Sequence, residues 1–192
     1  MANVDTPFGL RPVRLLNGSP YNGATMLFST AAGDSTAIMI GDPVKMSGTA
    51  QVINGVTYTD VARAATGDVI VGVVTSVIAD TRDSLNYRAA STARVVAVAT
   101  DPSLLFEIQE VSGGTALTTA AIGLNCDFVV AAGSTVTGLS GVELNNATEA
   151  TTNTLDLKLL GIVNRADVEA GEHAKWLVKI NRHQFANQIA GV

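Results

Sequence analysis

Cysteine is nearly missing from this chain. Cys126 is the only one, so no intramolecular disulfide can form. Charge is scarce as well: only 15% of the 192 residues are Asp, Glu, Lys or Arg, and 12 basic residues face 17 acidic ones. Non-specific nucleic-acid binding rests on dense Lys/Arg patches, and the linear sequence holds no such cluster. The same lack removes a polybasic membrane patch. Histidine occurs twice, at His173 and His183, and no His/Cys pair has zinc spacing. A metal reading would need a third ligand, so neither metal nor cofactor is expected. Gly113-Gly114 is not followed by Lys and a helix, which removes a phosphate-cradling loop. The start, Met1 to Asp5, lacks the basic region and apolar run of a signal peptide, which predicts synthesis in a cytoplasm without export.

What is present is β pattern. The stretch from Gly41 to Ala79 opens on Gly41-Asp42-Pro43-Val44-Lys45 and reaches Gly67-Asp68-Val69-Ile70-Val71-Gly72-Val73-Val74. Each Gly-Asp pair is a turn signal that runs into β-branched residues. The run from Val69 to Ile78 is too short for a bilayer and suits a strand buried on both faces. Gly72 within it marks a bend, a bulge or a close backbone approach. Leu159-Leu160-Gly161-Ile162-Val163 echoes Ile70 to Val74, which suggests paired positions in one barrel or sandwich, or chance similarity between apolar strands.

A chain of this length fits one domain with arms and would bury roughly 70% of its unfolded surface. A mean hydropathy of +0.30 with so few charges suggests that part of the apolar surface lies between subunits. A monomeric β domain rich in Ala, Val, Thr and Gly is the other reading. Residues 1–24 read as an extended arm: they hold Pro7, Pro12 and Pro20, two Asn-Gly turn pairs, and the anchors Phe8, Leu10, Val13, Leu15 and Leu16. Such an arm wraps its own domain or reaches a neighbour. Residues 25–183 read as a single β-rich domain, and 184–192 as a tail anchored by Phe185 and Ile189.

Within that domain strands are expected at Met26–Ser29, Ala37–Ile40, Val44–Met46, Arg94–Ala99, Cys126–Ala131, Leu155–Val163 and Ala174–Ile180. Asn54-Gly55 between Gln51–Ile53 and Val56–Thr59 predicts a hairpin. Leu104 to Glu110 alternates as a half-buried strand. Helix is limited to a turn over Ala116–Ile122 with Thr115 as its cap. Gly133 to Asn153 reads as a polar stretch with few core residues, and Trp176 as a residue at the rim. The fold class is all-β, either a compact barrel (tulip-like) or a jelly-roll sandwich.

No constellation for catalysis is legible. Cys126 reads as a small buried hydrophobe, and nothing joins it to His183 as nucleophile and base. Asp42, Asp68 and Asp101 sit in turns, where Asp bonds the local backbone. An enzyme would need a convergent polar cluster around His173 or His183.

The opening Thr6-Pro7-Phe8-Gly9-Leu10-Arg11-Pro12-Val13-Arg14, with Leu16-Asn17-Gly18-Ser19-Pro20-Tyr21-Asn22-Gly23, resembles the start of small virion proteins of tailed bacteriophages. The resemblance continues through Gly41 to Lys45, Asp101 to Glu110 and Ala174 to Asn181, and so covers most of the chain. It implies a head decoration (cement) protein with no enzymatic activity, often trimeric, on the outer capsid surface. The implied partners are the major capsid protein and further copies of this chain, with neither nucleic acid nor membrane. The residues expected at those contacts are Phe8, Leu10, Arg11, Arg14, Tyr21 and Phe185. Deleting residues 2–16 is then expected to abolish shell binding and leave the β body folded. A tail, neck or fibre-associated virion component is the alternative.

Overall fold

The computed structural model describes residues 3–188 and 191, so Ile189 lies outside the described residues. Twelve strands run in the order β1 (Arg11–Leu15), β2 (Met26–Thr30), β3 (Pro43–Ile53), β4 (Val56–Arg63), β5 (Gly72–Val77), β6 (Arg94–Ala99), β7 (Leu104–Gln109), β8 (Asn125–Cys126), β9 (Phe128–Val129), β10 (Glu143–Leu144), β11 (Leu157–Ile162) and β12 (Lys175–Ile180). Strand makes up 40% of the chain and helix 2%. The protein is all-β.

The strands form a closed barrel in the order β2-β4-β3-β5-β6, a five-stranded sheet in the order β1-β7-β12-β11-β8, and a small β9–β10 ribbon. Of the two expected arrangements the barrel is the one present, with a second sheet packed beside it in place of a jelly roll. Phe28, Val44, Val61, Val74, Val96 and Val98 fill the barrel. Phe106, Ile108, Leu157, Leu159, Trp176 and Val178 form the inner face of the sheet, and Ile70, Val73 and Ala99 from the barrel side join that cluster. One apolar layer therefore ties the two parts together. Each fully buried side chain of this size contributes about 1.5–3 kcal/mol against exposure.

Asn54 and Gly55 both take positive φ (51° and 80°), the primed turn that matches strand twist in a two-residue hairpin. At Gly72 a Cβ would lie 2.2 Å from the carbonyl oxygen of Ala99, so the glycine marks a close approach between β5 and β6. Gly161 differs. It sits at an irregularity of the β11–β12 ladder with open space around it. Its strand lies in the sheet and β5 lies in the barrel, so the matching apolar patterns are not partners.

Four local expectations are corrected. Every residue of β7 is buried, Glu107 and Gln109 included, because loops and the N-terminal segment cover its second face. Trp176 is fully buried in the sheet core and not at the rim, because β12 is a central strand. Between Ala37 and Ile40 only isolated bridges form, at Ile38 and Ile40. The short 3₁₀ turn spans Thr119–Ala121 with Thr118, not Thr115, at its cap, where the hydroxyl accepts from the Ala120 N–H. Within the polar stretch 133–153, Val142 and Leu144 are buried and close the core over β9.

Candidate functional site

Two of the sequence motifs meet in space. The Leu10 N–H donates to the Gly41 carbonyl at 2.9 Å, and the chain crosses there backbone to backbone. Gly9 and Gly41 both have positive φ (72° and 95°), and a Cβ on either would fall within 2.4 Å of the other segment's backbone oxygen. Only glycine fits both demands. Asp42, next in the chain, accepts from the Met39 N–H at 2.7 Å and the Ser140 hydroxyl at 2.6 Å, and burial raises its pKa. Asp68 and Asp101 likewise accept from nearby backbone N–H groups, of Ala65 and Ser103. All three are turn residues.

Residues 11–15, read in the sequence as part of an arm, form the edge strand β1 on β7. Leu10 is buried in the core of its own body. Phe8, Leu10, Arg11 and Tyr21 line one cavity of about 250 Å³ with Ile40, Val74 and Leu139. The Arg11 guanidinium stacks over the Phe8 ring at 4.5 Å and pairs with Glu107 at 3.2 Å. Tyr21 donates its hydroxyl hydrogen to the Ala24 carbonyl. Arg14 and Phe185 do not line this cavity. Arg14 stands opposite Leu105, and exposed Phe185 tilts against the His183 ring with centroids 5.7 Å apart.

The N-terminal segment is fastened to the sheet by polar contacts. The Asn3 side-chain amide donates to the Glu169 and Glu172 carbonyls, each at 2.9 Å. The Gln109 Nε2 donates to Asp5 Oδ1 at 3.0 Å and Glu143 Oε1 at 3.2 Å and lies 3.3 Å from His173 Nδ1. Its orientation is set by the Thr6 N–H, which donates to Oε1. Among the described residues, Asp5, Glu143 and His173 are the group of metal-ligand types that converges, with donor atoms within 4.8 Å of one another. A cation there would have to displace the Gln109 amide.

Four further titratable groups are buried. Burial pushes the Cys126 thiol up to about 12, and its Sγ faces the Asn145 carbonyl and the Thr148 hydroxyl, not His183. Burial holds His183 down at about 4, and its Nδ1 accepts from the Phe185 N–H. Burial also raises Glu110, which accepts from the Leu117 N–H and the Trp176 indole, both at 2.8 Å. Asp156, fully buried, is raised to about 7, first by burial and then by nearby Asp127, against the opposing Gly67 N–H and Arg182.

The outer face of the five-stranded sheet carries residues that the sequence did not single out. Leu105, Glu107 and Gln109 of β7, all buried, share this face with half-buried Lys175, Leu177 and Lys179 on β12 and Lys158 on β11. Arg165 grips Glu107 in a fork, at 3.0 and 2.6 Å. The alternation of Lys175, Leu177 and Lys179 about Trp176 was the signal available. No helix among the described residues is long and apolar enough to cross a membrane. Comparison with family models, with curated proteins and with solved structures returns no match to this chain.

Proposed function

We propose that the chain is a structural, non-enzymatic virion protein that binds the outside of a phage capsid as a homo-oligomer, most simply a trimer. In that role it cements adjacent major capsid protein subunits. The observation that carries the reading is apolar surface left open on the barrel. Leu27, Val56 and Ile78 are 48%, 50% and 40% exposed and converge with Tyr58 and Val95 on one groove of about 270 Å³. In a chain with so few charges, exposed apolar side chains gathered on one groove, with Asn54 and Asp80 also in its lining, support a surface that meets another subunit. The motif resemblance gives the reading its virion context. A cement protein needs no chemistry; several weak contacts made by one symmetric oligomer add through effective concentration, and binding only the assembled shell stabilises it by mass action.

The test is co-sedimentation of purified protein with assembled heads and with dissociated capsid subunits. Pelleting with heads alone is expected. Protein that stays in the supernatant with both contradicts the proposal.

A further inference from the structure

The chain is acidic overall, yet the fold collects positive charge on one surface. Of 12 basic residues, Arg11, Arg14, Lys158, Lys175 and Lys179 stand on the outer face of the five-stranded sheet, and Arg165 lies over it. The five strands carry a single acidic residue, Glu107, which pairs with Arg11 and Arg165, and Asp167 beside them pairs with Arg165 and Lys175, so the cations on which an acidic partner would act are Arg14 and Lys179. Ladder register places Arg14, Leu105, Lys179 and Lys158 in one transverse row across four strands. Lys158 and Lys179 are directly opposed, and like charges so placed cost stability. Burial, and then the charge of Lys158, lower the pKa of Lys179.

Beside the row runs a groove of about 350 Å³, with Val13, Val163 and Leu177 as apolar surface, Arg14 and Arg165 at its sides, and Glu107, held by Arg11 and Arg165, also in its lining. We propose that this face docks an acidic segment of a partner polypeptide, with an apolar side chain in the groove and carboxylates on Arg14 and Lys179. The partner's identity as a capsid subunit rests on the virion reading; the chemistry of the site does not. A polypeptide is the occupant because the groove is apolar between its cations, and the aromatic residues of these strands, Phe106 and Trp176, face the core. A nucleic-acid strand would call for stacking platforms on the surface itself.

The full chain, labelled with ¹⁵N, is titrated with a capped synthetic hexapeptide alternating leucine and glutamate. The amide signals of Val13, Leu177 and Lys179 are expected to shift saturably, and less as salt is raised. The double variant Arg14→Glu/Lys179→Glu, whose own spectrum reports its folding, is expected to lose roughly tenfold or more in affinity. Lys45→Glu, a barrel residue paired with Asp68, is expected to bind like the native chain. Absent shifts, shifts elsewhere, or binding unchanged in the double variant would overturn the proposal. Stronger perturbation of the same amides by an oligothymidine would overturn it in favour of nucleic acid. Concentration-dependent shifts there without peptide would overturn it in favour of a second copy. Because no head is used, seating of the peptide by a protein that fails to pellet with heads would uphold this site and sink the virion reading alone.

Discussion

At the residue scale, two features set the limits of the molecule. The first is the contact of Gly9 with Gly41, where a Cβ would lie 2.4 or 2.3 Å from a backbone oxygen and φ is positive. Backbone cannot retreat as a flexible side chain can, so Gly9→Ala or Gly41→Ala should lower stability by at least about 1–3 kcal/mol. Gly33→Ala, with open space and no positive φ, should be close to neutral in the same denaturant titration. Equal effects at the three positions would show that the crossing is not tight.

The second feature is a pair of buried groups with opposing pH dependence. Asp156 is raised to about 7, so the folded state holds a proton that the unfolded state has released. Its contribution is present below about pH 4 and lost as pH rises through 7. His183 is lowered to about 4, so the unfolded state takes a proton that the folded state refuses. Its contribution is present above about pH 6.5 and lost as pH falls through 4. Between these limits the two slopes oppose one another. Asp156→Asn should therefore make stability rise more steeply with pH from about 4 to 6.5, and His183→Gln should make it fall more steeply. Unfolding free energies at several pH values check both signs, and unchanged slopes contradict the assignment.

At the scale of elements, the N-terminal segment decides more than its sequence announces. Three prolines and two Asn-Gly pairs look like an arm, yet Leu10 is core and β1 closes the sheet edge beside β7. Removing residues 2–16 should then unfold or severely weaken the body, with Leu10 alone accounting for about 2–5 kcal/mol. Removing only residues 2–6 uncovers Gln109 and takes away its bonds to Asp5 and Thr6, and should lower the midpoint less than loss of β1 does. A 2–16 deletion that melts like the intact chain would contradict the role given to β1.

The strands β2, β3, β6, β11 and β12 and the Asn54-Gly55 turn were legible because alternation, β-branching and turn chemistry are local. The burial of Glu107, Gln109 and Trp176 was not, because it depends on which strand becomes central and which loop folds over it. The basic face was hidden for the same reason: Arg14, Lys158 and Lys179 lie far apart in sequence and are joined only by ladder register. Of the six expected contact residues, the local signs of Phe8, Arg11 and Tyr21 led to one cavity, but hydrophobicity could not separate Leu10, a core anchor, from a surface anchor.

At the scale of the whole molecule, a closed barrel and a five-stranded sheet share one core, with an apolar groove on the barrel and a basic face on the sheet. The two surfaces differ in chemistry, and on the proposals above copies of the chain take the first and a carboxylate-bearing segment the second. Leu27→Asp should lower the oligomer's mass measured by light scattering without unfolding the barrel, since Leu27 is half exposed. A native mass in that variant would free the groove from self-association.

The most direct measurement of the central claim is the copy number of this protein relative to the major capsid protein in purified virions, by quantitative mass spectrometry. The account predicts one copy per capsid subunit, or a simple fraction of that, as shell-wide symmetric binding requires. A handful of copies per particle would place the protein at the neck, tail or fibres, and absence from the particle would contradict the virion role itself.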